Sequence, residues 1–183
     1  MNSSQNFFSL FEMPLSSEVD TVLLEQKYKL LQAQLHPDRQ LNAQLGTQLG
    51  TQQLSKLAAI QQASILNDAY ATLKSPLRRA EHLLQLKGID TNSYDQADLA
   101  KDFLLDQLKL REKLEELQTQ ANPEPLEGMR RHMEQELASK WREFSSSFDS
   151  NDLQAAYQTF RELQFLHKLI EEIREAEDRL LDY

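Results

Sequence analysis

The sequence predicts an all-α protein in two parts, an antiparallel helical hairpin followed by a three-helix bundle. Three observations carry that reading. Hydrophobic residues fill 40% of the 183 positions, with leucine dominant, and only four glycines and five prolines occur. That composition favours helices over a sheet or a disordered chain. Within the long segments apolar residues recur at three- and four-residue spacing, the period of one helix face. Polar clusters rich in proline, glycine, serine and asparagine separate those segments.

Charge and composition exclude several classes of function. A net charge of −9 argues against a general binder of nucleic acid or anionic membrane, because phosphate recognition needs a positive field. The absence of cysteine removes disulfides, thiolate metal sites and cysteine nucleophiles. Residues Met1-Asn2-Ser3-Ser4-Gln5 lack the basic start and apolar run of a signal peptide. No stretch approaches the ~18 uninterrupted apolar residues of a membrane span. A cytoplasmic protein without a resident cofactor or metal is expected.

In chain order, Phe7, Phe8, Leu10 and Phe11 form an apolar turn that plugs a core, and Pro14 stops it. Asp20 is placed to cap the next helix. Leu24, Tyr28, Leu31 and Leu35 then mark one face, with Lys27, Lys29, Gln32 and Gln34 off it. Pro37 ends this helix near His36. Residues 39–53 repeat Gln-Leu-Gly-Thr and read as a mobile loop, since Gly46 and Gly50 each cost a helix about 1 kcal/mol relative to alanine. A long helix runs from Leu54 to Leu73, with Leu66, Tyr70 and Leu73 on one face and Ala58 and Ala69 allowing close approach. Two such helices joined by this loop pack as a hairpin with His36-Pro37-Asp38 at its open end. Ser75-Pro76 is an N-cap followed by proline at the first helical position. The helix it starts ends at Lys87-Gly88.

By itself His36-Pro37-Asp38 is a short pattern. It fits a plain helix stop in which Asp38 caps something local, or a catalytic His–Asp pair, although no candidate nucleophile accompanies it. Its surroundings narrow the choice. A helix carrying Lys27 and Lys29 leads into His36-Pro37-Asp38-Arg39, and a second helix ends in the run from Asn67 to Ala80. Residues 6–80 therefore resemble the J-domain of DnaJ-type co-chaperones. The resemblance implies a helix-pair domain that docks on a DnaK-like chaperone and stimulates its ATPase. His36, Pro37 and Asp38 match the family's essential tripeptide, and Lys27, Lys29 and Arg39 fall where the family carries positive charge. Such a patch would steer docking locally, whatever the net charge.

Residues 87–98 form a polar linker between a first domain at 5–86 and a second at 99–183. In the second, helical patterns run from near Leu99 to about Gln120, from about Leu126 to Phe148, and from Leu153 to near the C-terminus. Three long amphipathic helices with short connections predict an antiparallel bundle. On the first of them Phe103, Leu110, Leu114 and Leu117 share a narrow core sector. Leu104, Leu105 and Leu108 point roughly 100–200° away from it, beside Glu112 and with Lys109 and Glu116 farther round. This second apolar face either packs on other parts of the chain or is an exposed docking patch. Phe165 lies off the main stripe of the last helix, whereas Trp141, Phe144 and Phe148 read as core. His82, His132 and His167 lack metal-ligand spacing and read as surface or boundary residues.

Segments 62–67, 76–84, 103–112 and 161–169, in that order, resemble the HscB family of J-type co-chaperones in iron–sulfur cluster assembly. That resemblance implies two partners, the DnaK-like chaperone HscA for the N-terminal domain and the cluster scaffold IscU for the bundle. The family's scaffold site matches Leu104, Leu105, Leu108, Glu112, Glu116 and Phe165 here. Lys109 departs from the acidic residue of the family pattern. The function implied is an adaptor, not itself an enzyme. A J-domain co-chaperone for a different client is the alternative.

Overall fold

The computed structural model describes residues 6–35, 49–91, 101–119 and 122–181. Among the described residues all regular structure is helical, and the chain divides into two compact units, Met1–Leu86 and Lys87–Tyr183.

The first unit starts with α1 (Phe7–Leu10). Its cap is Asn6, whose Oδ1 accepts from the amides of Phe8 at 3.0 Å and Ser9 at 3.3 Å. Phe8 and Phe11 are buried, so the apolar turn plugs a core as the sequence predicts. Its end comes before Pro14. Glu12 adopts a left-handed φ of 49°, and the Met13 amide reaches back to the Phe8 carbonyl at 2.9 Å. This back-bonding satisfies a carbonyl that the short helix leaves open.

α2 (Thr21–Leu35) begins where Asp20 Oδ1 accepts from Val22 at 2.9 Å and Leu23 at 3.0 Å, which is the expected cap. α3 (Leu49–Lys74) packs against it. Glu25 lies near Lys74, while Tyr28 stacks on Tyr70 at 4.1 Å and donates its hydroxyl to Asn67 at 2.9 Å. Contacts that move forward on α2 thus move backward on α3, which makes the pair antiparallel.

Two details differ from the sequence reading. The helix starts at Leu49 instead of Leu54. Gly50 falls in the first turn, where amides have no intrahelical partner to lose, so a glycine there does not stop a long helix. Ala59 is buried and Ala58 is exposed. The inward register is Ala59, Leu66, Leu73, a seven-residue step that leaves Ala58 about 100° off the face.

α4 (Pro76–Leu86) follows after one residue. Ser75 caps it, with Oγ 3.5 Å from the Arg78 amide, and Pro76 takes the first position, where its missing N–H costs nothing. The chain leaves α4 through Gly88, whose φ of 84° suits glycine.

The second unit holds α5 (Lys101–Gln118), α6 (Glu124–Asp149) and α7 (Leu153–Leu181). The α6–α7 turn is tight: Asn151 is left-handed at φ 60°, and Asp152 Oδ1 caps α7 through the Ala155 amide at 3.1 Å. Arg130 on α6 pairs with Glu177 near the end of α7 at 2.8 Å, and Lys140 farther along α6 pairs with Glu162 near its start. The two helices are therefore antiparallel. α5 runs along both, with Phe103 beside Phe165 at one end and Leu114, Leu117, Leu126 and Ala176 sharing the core toward the other. This is the antiparallel bundle that the spacing predicts. Phe144, Phe160, Leu163 and Ile173 are fully buried. Each such side chain contributes roughly 1.5–3 kcal/mol by leaving water.

Candidate functional site

α5 divides its leucines between two environments. Leu114 and Leu117 are buried, and Leu110 packs on the same core cluster. Leu104, Leu105 and Leu108 stand 39%, 54% and 55% exposed. Single exposed leucines are ordinary. Three within five residues on one side of a helix make a patch, and such patches mark interaction surfaces.

Glu112 and Glu116 are also exposed. They continue the line of Leu104 and Leu108 at four-residue steps, so the apolar patch grades into carboxylates over about 18 Å of helix. Lys109 leans away into an ion pair with Asp106 at 3.0 Å, so its charge is locally balanced.

Phe165 does not sit among the exposed leucines. It is half-buried on α7, packs on the core cluster, and meets Phe103 edge to face with ring centroids 5.9 Å apart. The structure brings it to the turn of α5 that carries Leu104, as a support beneath the patch.

In the first unit His36, Pro37, Asp38 and Arg39 lie outside the described residues. The two lysines expected to accompany them differ from each other. Lys29 is exposed and pairs with Glu25 at 2.7 Å. This hydrogen bond holds the ammonium above and the carboxyl below their ordinary ranges. Lys27 donates to the carbonyls of Phe11 at 2.8 Å and Glu12 at 3.2 Å. Its ammonium closes the end of α1.

His82 departs from the sequence reading. It is not a surface or boundary histidine but is buried, 5% exposed. Its ring stacks on Phe7 at 4.5 Å, and its Nε2 accepts the Phe7 amide at 3.2 Å. Burial lowers its pKa from the ordinary histidine value. The signal was available in the spacing, because His82 falls three residues after Arg79, on the side of α4 that also carries buried Leu83. Arg79 is buried as well and donates Nη1 to the Ser17 carbonyl at 3.0 Å, so α4 holds the segment before α2 in place. His132 and His167 are exposed, as expected.

Among the described residues no group of three or more His, Asp or Glu is arranged to hold a metal. No described helix is long and apolar enough to cross a membrane.

Residues 99–174 match a family model described as the HSCB C-terminal oligomerisation domain. The co-chaperone protein HscB homologue of Shewanella amazonensis is 37% identical over 97% of this chain and 99% of its own. That of Vibrio cholerae is 36% identical over 96% and 99%. Among solved structures, the chaperone HscB from Vibrio cholerae superposes with a TM-score of 0.80 at 35% identity, covering 96% of this chain and 99% of that one. The human co-chaperone protein HscB gives 0.77 at 25% identity, covering 95% and 83%.

Proposed function

The chain belongs to the HscB family of co-chaperones, and on that premise we propose that it is a non-enzymatic adaptor of iron–sulfur cluster assembly, working in the cytoplasm. The bundle captures the scaffold protein IscU. The N-terminal domain presents His36-Pro37-Asp38 to the ATP-bound chaperone HscA and stimulates its ATPase. Holding both partners on one chain raises the effective concentration of scaffold at the chaperone.

The observation that carries the reading is the exposed Leu104/Leu105/Leu108 face. Spacing leaves that face either packed on other parts of the chain or open, and the HscB-family resemblance implies that it meets the scaffold. Glu112 and Glu116 form a charged margin of the kind that sets orientation and on-rate more than affinity. Phe165 supports the patch through Phe103. On the other domain, Lys29 and Arg39 provide the basic approach to the chaperone, with Lys27 contributing from its position at the end of α1.

The test is a titration of IscU into the protein. Saturable binding that a Leu104→Ser/Leu108→Ser variant loses supports scaffold capture. A folded protein that stimulates the chaperone but never binds the scaffold would leave a J-domain co-chaperone with a different client.

A further inference from the structure

A groove of about 560 Å3 opens between the first turns of α5, the middle of α6 and the first half of α7. Phe103, Leu110, Met133, Phe165 and Leu166 line it with apolar surface. Its rim is charged. Lys109 is held by Asp106 at 3.0 Å. Lys140 is held by Glu143 at 2.9 Å and by Glu162. Burial works against the Lys140 ammonium, but its pairing with the Glu162 and Glu143 carboxylates outweighs that and keeps the cation committed to its partners. Glu136 is the remaining carboxylate on the rim, exposed and, among the described residues, without a basic partner.

Around the apolar floor two ammonium groups and the His132 imidazole therefore stand with three carboxylates, Asp106, Glu136 and Glu162. A purely apolar occupant would leave the Glu136 charge unanswered, and an acidic one would be repelled. A long cationic side chain satisfies both, because its aliphatic stem covers apolar surface while its head stays at the polar edge. Phe103, which lines the groove with Phe165, immediately precedes Leu104, so the groove and the leucine patch share the first turns of α5.

We propose that this groove receives a lysine or arginine of the scaffold partner, its stem against Phe103, Leu110 and Phe165 and its head paired with Glu136. The inference rests on the scaffold-docking reading above. It adds Glu136, on a different helix from the leucines, as a residue that selects a basic segment of that partner.

The test measures IscU binding to the full-length protein by calorimetry at low and high salt, for the parent, Glu136→Gln and Leu108→Ala. The expected result is a three- to tenfold loss for Glu136→Gln at low salt, roughly the strength of one charge-assisted contact. That loss shrinks at high salt because such contacts are screened, and the melting temperature is unchanged. Glu136→Lys weakens binding further. If Leu108→Ala weakens binding while Glu136→Gln stays within twofold at both salts, the groove assignment is wrong and scaffold docking stands. A loss that is equal at both salts also overturns it, since a charge contact must be screened. If the parent does not bind, or neither variant matters, the docking reading fails and the groove fails with it.

Discussion

The Phe103 ring stands edge-on to the Phe165 ring, with centroids 5.9 Å apart and planes at 86°. Such a pair is worth roughly 0.5–1.5 kcal/mol beyond its buried area. It fastens the start of α5 to α7 one residue before Leu104. The turn that presents the exposed leucines is thus held rigid from its inner side, which lowers the entropy lost when a partner binds.

Stability and binding should therefore separate along α5. Leu104→Ala, Leu105→Ala and Leu108→Ala each change unfolding free energy by less than about 0.5 kcal/mol, as surface substitutions do. Together they weaken scaffold binding by several kcal/mol if they act as an anchored hot spot. Phe165→Ala costs stability as well, about 2 kcal/mol, because a half-buried ring leaves a void. Chemical denaturation alongside calorimetry reads both effects. A triple leucine variant that melts early but binds normally would place those residues in a structural role.

Lys27 and Lys29, alike as sequence, should behave differently. Lys27→Met removes the donor to the Phe11 and Glu12 carbonyls and lowers stability by about 1 kcal/mol. Lys29→Met leaves the denaturation midpoint unchanged, since that ion pair is exposed. Equal midpoints for the two variants would contradict the assignment of Lys27 to the end of α1.

His82 should make the first unit acid-sensitive. Burial lowers its folded pKa below the unfolded value of about 6.5. The neutral ring's contribution is complete above that value. It is lost as pH falls below it, because the unfolded chain takes up the proton first. His82→Gln is less stable than the parent at pH 8 and loses less stability on acidification to pH 5.5. Urea midpoints at the two pH values give the comparison. An equal acid loss in both proteins would show that the sensitivity arises elsewhere.

Much of this architecture was legible in the sequence because helical periodicity and caps are local signals. Asp20, Ser75 and Asp152 all cap helices that the spacing predicts. The outward turn of Leu104, Leu105 and Leu108 was visible for the same reason, since phase around a helix follows from residue number. What was hidden depended on tertiary partners. Nothing near Lys27 in sequence announces the carbonyl of Phe11, sixteen residues away. Nothing near Phe7 announces His82. Whether the second apolar face of α5 is covered or open is likewise a property of the assembled bundle. Glu136 became notable only when Lys109 and Lys140 on the same rim proved to be held by other carboxylates.

Coupling of scaffold capture to the chaperone's ATPase cycle is the heart of the proposed function. The most direct measurement is steady-state ATP hydrolysis by HscA with this protein, with and without IscU, for the parent and for His36→Gln. The expected result is stimulation by the parent, greater stimulation when the scaffold is present, and neither effect with His36→Gln, which still binds scaffold. No stimulation by a folded parent protein would contradict the claim and return His36-Pro37-Asp38 to a helix stop.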